Sequence, residues 1–314
     1  MTRTLLASSA LLGLTVGAAQ AADPEDCETV RFSDVGWTDI TATTATASVI
    51  LEGLGYLPET QILSVPVTYA SLKNGDIDIF LGNWMPTMEG DIRPYLEDGS
   101  VEQLPQPNLT GAKYTLAVPT YLADQGLTDF ADIASFEDQL GGEIYGIEPG
   151  NDGNRLILDM IDNDTMGLGD FELVESSEQG MLAQVARAVR SEQPIVFLGW
   201  EPHPMNANFD LTYLSGGDDI FGPDYGGATV YTNVRKGYLQ ECPNVGRFLQ
   251  NLTFSLEMEN EIMAAILDQG QAPEEAAAGW LRANYEVTDS WLDGVTTFSG
   301  DEAKPAVEAD LGSR

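Results

Sequence analysis

Short apolar runs alternate with stretches of helical periodicity along most of the chain. Residues 29–35 (TVRFSDV) read as a strand, and residues 41–54 carry apolar side chains at helical spacing, with Gly55 as the C-terminal stop. Residues 61–67 predict a second strand, 69–73 a short helix, Asn74-Gly75 a turn and 77–81 a third strand. The middle of the chain repeats the logic. Strands are expected at 114–118, 144–147, 171–174 and 194–198, with helices at 154–161 and 180–191. Such alternation predicts α/β layers with largely parallel sheets. Residues 245–256, 259–267 and 273–284 then read as consecutive helices, with a short one at 289–292. After Thr297 the composition turns small and acidic, which predicts a lightly packed tail.

No Pro/Gly-rich linker marks a domain boundary. Two extended stretches, at 112–115 and 204–213, are suited to carry the chain between lobes. The expected division is a discontinuous first lobe of residues 22–112 and 205–314, and a second lobe of residues 113–204. The first 21 residues read as an export signal. Arg3 supplies a positive start, residues 5–16 are apolar, and Ala19-Gln20-Ala21 fits the small-x-small cleavage pattern. That apolar run is too short for a stable membrane span. A periplasmic, monomeric protein starting at Ala22 is expected.

Composition changes this picture in two respects. Fifty acidic residues face 14 basic ones, a net charge of -36, which repels nucleic acid and anionic membrane surfaces. Adaptation to a salty habitat is the plainer account of it; steering of a cationic ligand is the sharper one but argues weakly, because charge is screened over ~8 Å at physiological ionic strength. The two cysteines, Cys27 and Cys242, are expected to pair in an oxidising compartment. Two unrelated buried thiols are the alternative.

Candidate chemistry concentrates on aromatic residues. Trp37, Trp84 and Trp200 each follow a predicted strand, with Gly36, Gly82 and Gly199 close by. Ligands of open α/β sheets bind at the carboxyl ends of strands, so the three rings are placed to converge on one cleft. Tyr114, at a predicted crossing, completes a box. Aromatic faces attract a cation that cannot donate hydrogen bonds, such as trimethylammonium, by ~0.5–2 kcal/mol each. For any single tryptophan, ordinary packing is the competing explanation, and Trp280 and Trp291 are assigned to packing. Asp39 suits a ligand hydroxyl and a positive charge, or equally a helix N-cap. Asn151 suits a ligand's polar side, or turn chemistry. Enzyme signatures are missing: there is one histidine, His203, and no nucleophile elbow, P-loop or dinucleotide fingerprint. No metal site, cofactor or catalytic residue is expected.

Longer stretches resemble a known family. FSDVGWTDITATTATA, SVPVTYASLKNGDID, FLGNWMPTME, GAKYTLA, IYGIEPGNDGNRLI, VESSEQGMLAQVARA, PIVFLGWEPHPMNANF, LTYLSGGDD and YGGATVYTNVR are similar to the periplasmic choline-binding proteins of bacterial ABC importers, within the glycine betaine/choline/proline-betaine binding group. The resemblance implies a two-lobed periplasmic-binding-protein fold. It implies that Trp37, Trp84, Tyr114 and Trp200 surround the trimethylammonium of choline, that Asp39 meets the hydroxyl end and that Asn151 assists the polar side. It also implies a Cys27–Cys242 disulfide and an ABC permease as partner. A glycine betaine or broader quaternary-ammonium binder is the alternative. A sensory binder and a choline-ester enzyme are further ones. Arg155 and His203 lie near site segments and are read as structural.

Overall fold

The computed structural model describes residues 23–314; the export signal expected at residues 1–21 lies outside the described residues. In chain order the strands are β1 (Thr29–Asp34), β2 (Leu57–Ile62), β3 (Ile79–Met85), β4 (Val101–Pro119), β5 (Glu143–Tyr145), β6 (Glu172–Val174), β7 (Phe197–Glu201), β8 (Leu211–Tyr213) and β9 (Gly227–Arg235). They form a sheet of order β2-β1-β3-β9-β4-β7-β5-β6, with β8 pairing β4 off this path.

The sheet is mixed, where largely parallel sheets were expected. β1 runs parallel to β2 and β3, and β5 parallel to β6 and β7. The centre is antiparallel, because β9 inserts between β3 and β4 and β7 pairs antiparallel to β4. Sequence reasoning missed most of β4 and all of β9. Pro105 and Pro107 argue against a strand, since proline cannot donate to a ladder. The chain absorbs them through register shifts between Gln103 and Pro107 and between Pro107 and Leu109.

β4 is shared by the two halves of the molecule. Its Val101–Lys113 stretch pairs with β9, its Lys113–Ala117 stretch with β7, and its Ala117–Pro119 end with β8. The result is a two-lobed α/β fold built on one mixed sheet.

The second predicted strand is displaced. Strand pairing ends at Ile62, and Val65–Asn74 is a helix with Ser64 at its N-cap and Pro66 in its first turn. Proline is pre-organised for a helix start, so the apolar residues 63–67 belong to the helix entry. The helix Thr38–Gly53 is buried on nearly all sides. It packs against the helices Leu256–Leu267, Pro273–Ala283 and Ala303–Ser313. Its buried hydroxyls bond backward along the helix, Thr43 to the Asp39 carbonyl at 3.0 Å and Thr46 to the Ala42 carbonyl at 2.8 Å.

The tail is not lightly packed. Residues Ala303–Ser313 are helical and bury Ala303, Val307 and Leu311, while Arg314 pairs with Glu52 and Asp310 at 2.6 Å. The small, acidic composition hid three apolar anchors spaced four apart.

Cys27 and Cys242 form a disulfide across 215 residues. Closing so long a loop restricts the unfolded chain, so a Cys27→Ser/Cys242→Ser variant is expected to lose about 2–5 kcal/mol. Denaturant unfolding checks this; an unchanged midpoint would show that the bridge contributes nothing to stability.

Candidate ligand-binding site

A short polar turn presents the first tryptophan. After β1, the Asp34 carboxylate accepts the Gly36 N–H at 2.7 Å and the Thr41 hydroxyl at 2.7 Å. Gly36 takes a left-handed conformation at φ 83°, which glycine adopts without strain. Trp37 is then the N-cap residue of the Thr38–Gly53 helix, and Asp39 lies in its first turn. Asp39 is therefore not the N-cap. Trp84 lies inside β3 and Trp200 inside β7, each one residue before its strand ends. Tyr114 pairs with Trp200 across the β4–β7 ladder. Gly153 must be small here, because a Cβ would stand 2.0 Å from the Tyr114 hydroxyl.

These residues converge. Trp37, Asp39, Trp84, Tyr114, Ile147 and Trp200 line one cavity of about 250 Å³. Its walls stand close together, so it suits a compact ligand. Trp84 and Tyr114 stand at 62° with centroids 6.1 Å apart, and Tyr114 and Trp200 at 84° and 6.2 Å. Rings set edge to face in this way form walls around a centre. All four aromatic residues and Asp39 are buried, so the cavity is closed. Ile147, in a segment expected to be a strand, is a lining residue that sequence reasoning did not single out.

Asp39 accepts the Trp84 indole N–H at 3.1 Å. Burial, and then the nearby charge of Glu178, push its carboxyl up to about 8. Burial likewise raises Glu148 to about 7 and Asp152 to about 6. Glu148 accepts the Trp37 indole N–H. No lysine or arginine lines the cavity. A buried carboxyl with no lysine or arginine beside it gains from a positively charged occupant, which favours its ionised form.

Three other residues stand back from the cavity. The Asn151 side chain caps the helix Asp152–Asp162 by accepting the Asn154 N–H at 2.8 Å, and its oxygen lies 3.4 Å from the Tyr114 hydroxyl. It does not line the cavity. Arg155 is turned to the Thr87 carbonyl at 3.0 Å and to Asp91 at 2.8 Å. His203 packs against Trp200, with ring centroids 4.9 Å apart, and bonds to Glu178. Among the described residues no cluster fit to hold a metal ion occurs, and no helix is long and apolar enough to cross a membrane.

Two lobes around an enclosed small cavity define the class of two-lobed binding proteins. The family model for the substrate-binding domain of ABC-type glycine betaine transport systems (OpuAC) matches residues 28–283, and the chain belongs to that family. It is 68% identical to an ABC-transporter choline-binding protein solved in complex with choline, over 92% of this chain and all of that one, with a TM-score of 0.91. An ABC-transporter choline-binding protein in an unliganded semi-closed conformation, also 68% identical over the same shares, gives 0.84. The glycine betaine/carnitine transport binding protein GbuC of Listeria monocytogenes is 31% identical over 167 residues, which are 53% of this chain and 54% of that protein.

Proposed function

We propose that this chain captures choline in the closed cavity and delivers it from the periplasm to an ABC permease for import. The observation that carries this reading is the closed aromatic cavity with buried Asp39 and no basic residue in its lining. Trp37, Trp84, Tyr114 and Trp200 hold the trimethylammonium by their faces. Asp39 accepts the ligand hydroxyl and complements its charge. Asn151 acts behind the cavity by fixing Tyr114. Similarity to a choline complex supports the choice of ligand. Glycine betaine carries a carboxylate, which finds no lysine or arginine in the lining and which ionised Asp39 repels.

The proposed lobes are residues 23–112 with 227–314, and residues 113–226. The second boundary is placed later than the expected 204, because β8 pairs with the far end of β4 and the return strand begins at Gly227. In this division Trp37, Asp39 and Trp84 belong to the first lobe and Ile147 and Trp200 to the second. The ligand then bridges the lobes and stabilises the closed form by its differential affinity.

Calorimetric titration of refolded, ligand-stripped protein with choline and, separately, with glycine betaine tests the reading. Choline is expected to bind at micromolar or tighter Kd, about −8 kcal/mol, and betaine far more weakly. Equal affinities would make the protein a general quaternary-ammonium binder. Binding of neither would refute the choline assignment.

A further inference from the structure

The Thr38–Gly53 helix begins at an N-cap residue, Trp37, that makes no side-chain cap bond. Its first N–H groups need acceptors from elsewhere. Glu178 supplies one from 140 residues away: the Thr38 N–H donates to its Oε2 at 2.7 Å, and the Thr38 hydroxyl donates to its Oε1. Glu178 opens the helix Glu178–Ser191, whose own cap is the Ser177 side chain. Its carboxylate is therefore spent outside its own helix, and only 1% of the residue is exposed.

The third partner is His203. Its Nδ1 accepts the Met205 N–H at 2.9 Å, which leaves Nε2 to carry the proton and donate to Glu178 Oε1 at 3.2 Å. The same imidazole packs on Trp200. Thr38 sits between Trp37 and Asp39 in sequence. One buried carboxylate thus joins the segment that carries two cavity residues to the imidazole that backs a third.

We propose that Glu178 is a positioning residue that latches the closed state. It caps the Thr38–Gly53 helix from the opposite lobe and, through His203, holds Trp200 against the walls supplied by Trp37 and Asp39. The inference rests on the lobe division and ligand class proposed above. When the lobes part, the Thr38 donors and the Glu178 acceptors exchange each other for water. The latch therefore acts on how long the closed form lasts more than on how fast ligand enters.

The test uses the full mature protein and two variants, Glu178→Gln and Thr38→Val. A glutamine amide offers donors where Thr38 or His203 already donate, so at least one bond is lost. Stopped-flow with choline is expected to show dissociation about 10- to 100-fold faster in Glu178→Gln, the span of hydrogen bonds to a charged group. Association should stay within about threefold. Thr38→Val loses one donor and should give a smaller increase. The double variant should be no worse than Glu178→Gln alone, since both remove the same contact. Small-angle scattering of the unliganded protein should show a lower closed fraction in Glu178→Gln, a readout that does not depend on the ligand. The melting temperature without ligand should be nearly unchanged. Unchanged dissociation and scattering in both variants would overturn the latch, and so would an equal melting loss with and without choline, which marks a purely structural role. If the unmodified protein fails to bind choline, the ligand assignment falls, while the scattering comparison still decides the latch.

Discussion

Replacing Trp84 with alanine is expected to weaken choline binding by about 100-fold or more. Three losses combine. The aromatic face contributes ~0.5–2 kcal/mol to a cation, and more when desolvated. The indole N–H that bonds Asp39 at 3.1 Å disappears, leaving a buried carboxyl without that donor, at about 1–3 kcal/mol. The wall also becomes a void that water can enter. Truncation of a buried tryptophan costs the fold about 3–5 kcal/mol, so the measurement needs Trp84→Phe beside it. Phenylalanine keeps a face and drops the N–H, so its loss should be the smaller of the two, about 5- to 100-fold. Titration calorimetry reads both variants. Choline affinity unchanged in Trp84→Ala would remove the tryptophan from the site.

The second large effect concerns Asp39. Without a cation in the cavity, burial holds its carboxyl at about 8. A quaternary ammonium beside it favours the ionised form, so its pKa with ligand is lower than without. The sign follows from linkage: choline affinity is full above about pH 8 and declines as pH falls through the window between the two values. The slope cannot exceed about tenfold per pH unit for one group. Asp39→Asn keeps an oxygen to accept the Trp84 N–H but carries no charge. It is expected to weaken choline about 10- to 100-fold, to improve glycine betaine relative to choline, and to flatten the pH profile. A wild-type profile already flat between about pH 6 and pH 8.5 would show that Asp39 does not exchange a proton with binding.

Local signals made the site's aromatic wall legible. Trp37, Trp84 and Trp200 stand at or near strand ends beside glycines, and strand ends are where such sheets open. Many of the longer helices and several strands announced themselves through periodicity and turn residues, though the helix Glu89–Glu97 did not. β4 and β9 did not: Pro105 and Pro107 argue against the first, and Thr232 interrupts the apolar alternation of Ala228, Val230 and Val234 in the second, so pairing with their neighbours is what makes them strands. The tail helix was hidden for a related reason: Val307 and Leu311 have value only once the helix packs on Thr38–Gly53 and Pro273–Ala283. Glu178 was the least legible of all. Its partners lie 140 and 25 residues away, and no local rule says that an acidic residue at one helix start will serve another. Asn151 shows the converse. Its local turn chemistry accounts for every bond it makes except the contact with Tyr114.

In the proposed lobe division the connection between the lobes constrains how they can move. β4 and β9 lie side by side, paired from Val101 opposite Arg235 to Lys113 opposite Gly227. A hydrogen-bonded ribbon of this kind bends and twists readily, but slipping by one residue would break the ladder and turn every side chain to the other face. Sliding is therefore closed to it and swinging is open. If the lobes open and close as proposed, a fixed register returns the two halves to the same alignment, so Tyr114 meets the same neighbours each time. Under the proposed lobe division this ribbon is the hinge, and the fidelity of the box is set at its seam as much as by the rings that line it.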